Sequence, residues 1–137
     1  LDTLRAAARR GVQVELIVPG EHNDAGLVRL VSRKLYCPLL RAGIDIYEYE
    51  PTMYHTKMML IDDIWVCIGS TNFDNRSFRL NDEVNVNIYN RELAREQIEW
   101  FEQDKTRSHR VDLDEWARRP VWTKLQEEAA AVLSSQI

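Results

Sequence analysis

The order of the first segments restricts the fold more than any other feature of this sequence. Residues 2–10 show the apolar spacing of a short helix and end in two arginines before Gly11, which is typical of a helix C-terminus. An apolar run at 12–18 follows and stops at Pro19, as a largely buried strand does. A helix followed at once by a buried strand favours an α/β fold.

The middle of the chain continues this mixture of helices and strands. A helix capped by Asp24 extends toward Gly43. Pro38 is predicted to kink or interrupt it, because a proline ring clashes with the preceding turn. The further strands are short apolar or alternating runs bounded by turn residues. They are expected at 44–47, 57–61, 65–68 and 84–88, with a tight turn at Asp62-Asp63 between the second and third of these.

The last strand and the C-terminal helices have clear local patterns. Val84, Val86 and Ile88 alternate with polar residues, which predicts one core-facing apolar side and one polar side. Asn90 caps a helix that runs to about Arg107. A final helix is expected over 112–135. Its Trp116 and Trp122 either pack that helix or lie at a lipid interface.

Composition excludes several classes of protein. The 137 residues are 45% hydrophobic and 29% charged, which is ordinary for a globular protein and excludes wholesale disorder. The net charge of −4 offers no large basic surface, so no nucleic acid partner is expected. No apolar run approaches a membrane span, and no signal peptide is visible. Cys37 and Cys67 lie in apolar segments and are expected to be reduced. Leu1 falls inside a helical pattern, so we expect a soluble fragment of a longer chain.

One stretch of the sequence carries side chains that suit phosphate chemistry. In a strand, His55 and Lys57 lie on the same face, so an imidazole and an ammonium can converge on one ligand. A fixed cation beside an imidazole can neutralise phosphate oxygens during a displacement. Gly69 permits a close approach of the backbone to a ligand, and Ser70 and Asn72 offer hydrogen-bond donors.

These residues form a recognisable pattern. His-x-Lys-x4-Asp-x6-Gly-Ser-x-Asn, met at positions 55, 57, 62, 69, 70 and 72, resembles the signature of the phospholipase D superfamily. Six fixed positions give odds on the order of 10⁻⁶ from average composition. The stretch from 69 to 85 and the tail from 101 to 116 are similar to the second catalytic half of bacterial cardiolipin synthases. The resemblance covers nearly the whole chain. It implies an α/β fold with a mixed β-sheet flanked by helices, an α/β/α sandwich. It also implies that 1–137 is a single catalytic half-domain, one half of a two-fold assembly.

The resemblance also implies a reaction. One histidine attacks phosphorus to give a phosphohistidine, a second histidine protonates the leaving alcohol, and water or another alcohol then resolves the intermediate. In a cardiolipin synthase this transfers a phosphatidyl group between two phosphatidylglycerol molecules and releases glycerol. Family members with two motifs usually take the nucleophile from the first half. His55 would then be the general acid and base, although the sequence leaves both roles open.

The resemblance assigns roles to the remaining signature residues without any metal or cofactor. Lys57 and Asn72 would hold the phosphate oxygens, with Ser70 in support. Glu83 matches the family's downstream carboxylate, which accepts a hydrogen bond from the second nitrogen of the histidine and favours the imidazolium. Asp62 belongs to the catalytic signature, but alternation turns it away from His55. We therefore expect it to fix the strand turn through hydrogen bonds.

Two basic residues outside the signature, Arg76 and Arg79, are interpreted either as contacts for anionic headgroups or as plain surface arginines. The family's active centre needs two facing motifs, and this sequence contains one. Its partner is therefore expected to be the missing N-terminal half of the same enzyme or a second copy. An anionic phospholipid would be the substrate, and the parent protein would lie at the cell membrane.

Two other interpretations stay open. The first is a homodimeric phosphodiesterase or nuclease, which the acidic composition disfavours. The second is a non-catalytic module that binds lipid headgroups or serves assembly. Intact His55, Lys57, Asn72 and Glu83 disfavour that module, because a decayed site should have lost some of them.

Overall fold

The computed structural model describes residues 1–22, 26–72, 81–120 and 122–123. The chain divides into two compact units, a first unit of Leu1–Tyr54 with Arg107–Ile137 and a second unit of His55–Thr106. The predicted mixture of helices and strands is confirmed, in the form of two small sheets with helices. That the whole of 1–137 acts as one half-domain stays a prediction.

The first unit contains four helices and a mixed three-stranded sheet among its described residues. Strand β2 lies in the middle, parallel to β1 on one side and antiparallel to β6 on the other. The elements of this unit are α1 (Asp2–Arg9), β1 (Glu15–Pro19), α2 (Gly26–Lys34), α3 (Tyr36–Leu40), β2 (Asp45–Tyr49), β6 (Ser108–Arg110) and α5 (Leu113–Arg118).

The core of the first unit forms where β2 meets the short helices. Ile44 and Ile46, just before and within β2, are 1% and 0% exposed. They pack with Tyr36 and Leu39 of α3, with Trp116 of α5 and with Val111, which lies between β6 and α5. Of the two expectations for Trp116, packing of the terminal helix is therefore confirmed. The guanidinium groups of Arg33 and Arg119 also lie over its ring, 4.7 and 3.3 Å from the centroid.

Pro38 breaks the second helical segment earlier than its own position suggests. Helix α2 ends at Lys34, and α3 begins at Tyr36. Because a proline ring collides with the carbonyl group four residues before it, the regular helix has to stop near Lys34. Pro38 itself then lies in the first turn of α3, where its missing amide costs little. The predicted cap, Asp24, lies outside the described residues.

The second unit contains an antiparallel sheet and one long helix among its described residues. Its strands are β3 (Met58–Ile61), β4 (Trp65–Gly69) and β5 (Asn85–Tyr89), with β4 in the centre. Helix α4 (Arg91–Thr106) packs against β3 and β4, and Val66 and Ala94 are fully buried. The side chain of Asn90 accepts a hydrogen bond from the amide of Leu93 at 3.0 Å, which confirms the predicted cap.

The prediction that Val84 and Val86 face the core is wrong. Their exposed fractions are 72% and 55%, and only Ile88 of this alternating set is half-buried. Alternation determines that the three residues share a side, but not that another element covers that side. Helix α4 packs against β3 and β4. The side chains of Val84 and Val86, near the start of β5, therefore stay exposed.

Three further boundaries differ from the predictions. Strand β1 starts at Glu15 and not at residue 12, and Val12 is exposed. Strand β6 was not predicted, because Ser-His-Arg shows no apolar alternation. The final helix is interrupted at Arg118, and residue 121 and the rest of its predicted span, 124–135, lie outside the described residues. Arg119 takes an extended conformation, ψ 149°, because it precedes Pro120. The exposed Trp122 lies beyond this interruption. In the ranges described, no helix is long and apolar enough to cross a bilayer.

Candidate functional site

Three strand ends meet at one end of the sheet in the second unit. Because neighbouring strands run antiparallel, the start of β3, the end of β4 and the start of β5 lie side by side. Strand register therefore gathers segments that are distant in sequence. Five of the six predicted site residues lie at this end: His55 and Lys57 before β3, Ser70 and Asn72 after β4, and Glu83 before β5.

The imidazole and the ammonium come from the segment that leads into β3. The amide of Gly69 donates to the carbonyl oxygen of Lys57 at 3.2 Å. Pairing with β4 therefore begins one residue before β3, at Lys57. The Lys57 ammonium donates to the carbonyl oxygen of His55 at 3.1 Å. The side chain of His55 is exposed, and that of Lys57 is half-buried. A cation is thus held against the backbone of an exposed histidine.

A network of hydrogen bonds ties the end of β4 to the start of β5. The Ser70 amide donates to the Val84 carbonyl at 3.0 Å, and the Val84 amide donates to the Ser70 hydroxyl at 3.1 Å. That hydroxyl donates to the Glu83 carboxylate at 2.5 Å, and the side-chain amide of Asn81 donates to the same carboxylate at 3.4 Å. Glu83 is therefore fixed against Ser70. The hydrogen bond expected from His55 to Glu83 stays a prediction.

Gly69 is the residue that permits this close pairing. A Cβ atom at this position would overlap the carbonyl oxygen of Val84 and the side-chain oxygen of Asn85, and would lie 2.7 Å from the Asn85 Cα. The residue type alone predicts room for a ligand at Gly69. The structure shows that the neighbouring strand occupies that room. Glycine is required here because two backbones approach each other.

Asp62 lies at the opposite end of β3. It lies five positions after Lys57, which at ~3.3 Å per residue of extended strand is about 16 Å. Its backbone has a left-handed φ of 52°, a conformation that Asp adopts more readily than most residues. This supports the interpretation that Asp62 shapes the turn.

The next residue, Asp63, anchors that turn to α4. Its carboxylate accepts hydrogen bonds from Arg91 at 2.6 and 2.7 Å and from Arg95 at 3.2 Å. The hydrogen bond from Arg95, with further contributions from Arg91, holds the pKa of the Asp63 carboxyl below its ordinary value.

The gathered groups suit the binding of a phosphate diester. An ammonium, a side-chain amide and a hydroxyl can each donate to phosphate oxygens, and an exposed imidazole can attack phosphorus or exchange a proton. Within the part of the chain that the structure describes, no three His, Cys, Asp or Glu side chains are grouped to hold a metal ion.

Two residues at this end were missed by the sequence analysis. The side-chain amide of Asn85 donates to the hydroxyl of Thr71 at 2.7 Å, directly beside Ser70. The signal was present, since Asn85 continues the polar side of the strand that Glu83 begins. Thr71 lies at the variable position of the signature, so the signature carries no signal for it. Arg76 and Arg79 lie outside the described residues.

Comparison with known proteins places these observations in a family. Residues 1–105 match the family model for the phospholipase D-like domain of cardiolipin synthase. Over 134 residues the chain is 34% identical to the major cardiolipin synthase ClsA of Bacillus subtilis, covering 98% of this chain and 28% of that protein. It is 37% identical to cardiolipin synthase 1 of Staphylococcus aureus, with coverages of 98% and 27%.

A solved structure has the same fold. Nuc from Salmonella typhimurium, a phospholipase D family member, superposes with a TM-score of 0.66 at 23% identity, covering 80% of this chain and 71% of that chain. The expected phospholipase D-like fold is confirmed. This chain spans only 28% of the length of the Bacillus relative. The chain belongs to the family of phospholipase D-like domains of the cardiolipin synthases.

Proposed function

We propose that this chain is one catalytic half of a phosphatidyltransferase that makes cardiolipin from two molecules of phosphatidylglycerol. The observation that carries the proposal is the convergence of three strand ends, which gathers an imidazole, an ammonium, a carboxamide, a hydroxyl and a carboxylate at one end of a sheet. The names of the relatives, cardiolipin synthases at 34% and 37% identity, support transfer to a second lipid.

Each residue of the site has a separate task in this proposal. The ammonium of Lys57 and the side-chain amide of Asn72 donate to the phosphate oxygens and stabilise the charge that grows on them during displacement. Ser70 holds Glu83 in place through its hydroxyl. Glu83 orients His55 and favours its protonated form. Asp62 shapes the far turn and does not touch the substrate.

The reaction needs two imidazoles. A nitrogen of the first attacks phosphorus of one phosphatidylglycerol, the bond from phosphorus to the glycerol oxygen breaks, and the second imidazole gives its proton to that oxygen. The second imidazole then takes a proton from a hydroxyl of another phosphatidylglycerol. The oxygen of this hydroxyl attacks the phosphohistidine, and the bond between phosphorus and nitrogen breaks. His55 supplies one of the two imidazoles, in our proposal the acid and base.

The second imidazole has to come from a partner half. The exposed position of His55 leaves it open to such a surface. The relatives are more than three times as long as this chain, which favours a partner half within the same polypeptide over a second copy. Because the substrate is an anionic phospholipid, the complete enzyme would work at the cell membrane.

A chimera tests the proposal directly. This chain would replace the matching 134-residue segment of the Bacillus subtilis relative, and conversion of phosphatidylglycerol to cardiolipin would be measured in excess chelator. We expect activity without added metal. His55→Ala should abolish turnover, and Lys57→Ala should lower it by roughly 10²–10³-fold, the effect of losing one charge-stabilising donor. His22→Ala and Lys34→Ala are matched controls and should retain activity.

Several outcomes would contradict the proposal. Loss of activity in chelator with recovery on added metal would exclude the metal-free displacement. Near-normal turnover by the His55→Ala chimera would exclude its catalytic role. Glycerol release without cardiolipin would indicate a hydrolase, and plasmid nicking by the unmodified chain would favour the phosphodiesterase. We expect no turnover from the chain alone when sedimentation shows it to be monomeric, because one imidazole cannot serve as nucleophile and acid together.

A further inference from the structure

One side-chain contact beside the proposed phosphate site has no part in the reaction described above. The loop after β4 carries Ser70, Thr71 and Asn72 in succession. The hydroxyl of Thr71 accepts a hydrogen bond of 2.7 Å from the side-chain amide of Asn85, at the start of β5. Thr71 is half-buried and Asn85 is exposed. This bond joins the two sides of the site through side chains alone.

The contact acts on the residue that follows it. Ser70 is already fixed by its two hydrogen bonds to the backbone of Val84. Strand pairing does not hold the side chain of Thr71, so the bond from Asn85 extends the connection one residue further along the loop. Asn72 follows directly and is exposed. The direction in which its carboxamide points therefore depends on a backbone that is anchored at Thr71.

The residues around the Thr71–Asn85 hydrogen bond restrict which side chains can form it. The side-chain oxygen of Asn85 lies where a Cβ of residue 69 would be, so only glycine at that position leaves room for it. Its nitrogen is then directed to Thr71. A shorter side chain at 85 could not span the same gap, and a threonine-sized residue without a hydroxyl at 71 could not accept the bond.

We propose that Thr71 and Asn85 are a positioning pair, which orients the Asn72 amide for phosphate binding. The inference rests on the proposed function, because it assumes that Asn72 holds a phosphate oxygen. Neither member of the pair touches the phosphate. The pair restricts the conformations of the loop before the anion binds. The loop then loses less conformational entropy on binding, which improves affinity without a new contact.

The test uses the whole chain, with inorganic phosphate as the probe and NMR as the readout. Thr71→Val keeps the side-chain volume and removes the hydroxyl, and Asn85→Ala removes the donor. Each should weaken phosphate binding about three- to tenfold, the range expected for one hydrogen bond. Each should also lower the order parameter of the Asn72 side-chain amide on the fast timescale, with or without phosphate. The double variant should be no weaker than either single one.

Matched controls separate positioning from general stability. Thr71→Ser keeps the hydroxyl and should restore both the affinity and the Asn72 order parameter. Asn87→Ala removes the same group two residues along β5, on the same side of the strand, and should behave like the natural chain. Thr3→Val is the same type of substitution on α1, in the first unit. It should also have no effect on phosphate affinity or on the Asn72 order parameter.

The two readouts distinguish failure of the inference from failure of the proposed function. Folded Thr71→Val and Asn85→Ala chains with unchanged affinity and an unchanged Asn72 order parameter would overturn the positioning pair. A Thr71→Ser chain as impaired as Thr71→Val would overturn it too, because the hydroxyl would not be the cause. If the natural chain bound no phosphate, the proposed site would fail. The Asn72 order parameter alone would then decide the inference.

Discussion

Replacing Gly69 with alanine should separate β5 from the end of β4 and release the loop that carries Ser70 and Asn72. The added methyl group would overlap the Val84 carbonyl oxygen and the Asn85 side-chain oxygen. The Asn85 side chain can rotate away, but the Val84 carbonyl belongs to the backbone of the next strand. The strand itself therefore has to move, and the hydrogen bonds that depend on its position weaken with it.

The size of the effect follows from two contributions. Forcing one extra methyl group into a filled space costs about 1–3 kcal/mol. The two backbone-linked hydrogen bonds between Ser70 and Val84 contribute ~0.5–1.5 kcal/mol each, and a shift of β5 weakens both. We therefore expect Gly69→Ala to lower the free energy of unfolding of the second unit by about 2–4 kcal/mol.

Hydrogen exchange followed by NMR would measure this loss, because it reports local opening in each unit separately. Gly11→Ala is the matched control. Gly11 has φ 92° and nothing within 4 Å of a built Cβ, so alanine there meets only backbone strain of roughly 1–2 kcal/mol, confined to the first unit. The close approach of β5 would be refuted if the Gly69→Ala chain had a free energy of unfolding within ~0.5 kcal/mol of the natural chain and unchanged chemical shifts for the Ser70 and Val84 amides.

Three further predictions concern the carboxylates of the second unit. The Asp63 carboxyl has a pKa below its ordinary value of 3.8 because of Arg95 and Arg91. The ionised carboxylate therefore stabilises the folded state above pH 3.8, and this stabilisation is lost as the pH falls through the lowered pKa. In urea titrations, Asp63→Asn should be less stable than the natural chain at pH 7 and equal to it in strong acid. A deficit that does not vary with pH would contradict this. Asp62→Gly should preserve stability, whereas Asp62→Val should cost about 1–2 kcal/mol because of the left-handed φ, and equal stabilities would argue against that strain. Glu83→Gln should slow turnover of the chimera without lowering its thermal unfolding temperature, and unchanged turnover would show that the charge has no role.

Local sequence signals predicted most elements of the fold because their causes are local. Asn90 caps its helix with its own side chain, and Gly11 ends the first helix with a left-handed φ, as their residue types indicate. The helix break before Pro38 has an equally local cause. Exposure of Val84 and Val86 could not be predicted in the same way, because it depends on which strands α4 covers. Strand β6 was missed because it forms by pairing with β2 and not through any pattern of its own.

The same division applies to the site. The residue types of the signature indicated phosphate chemistry, and the structure brings five of the six predicted residues to one end of the sheet. The role of Gly69 could not be predicted, since it follows from the distance between β4 and β5. A glycine in a signature suggests room for a ligand when it is considered alone. Only the neighbouring strand shows that the room is already occupied.

The spacing within the signature has a geometric reason that links the sequence to the site. Met58 pairs with Ile68 and Ile61 pairs with Trp65 across a three-residue turn, so the same register places Lys57 opposite Gly69. The number of residues between the lysine and the glycine is therefore the length of one hairpin. A single insertion in either strand would shift that register and turn the side chains beyond it to the other side of the sheet. We propose that Asp62 belongs to the signature for this reason, although it lies at the opposite end of β3 from Lys57. By adopting a left-handed φ it sets the turn, and the turn sets which residues meet at the other end.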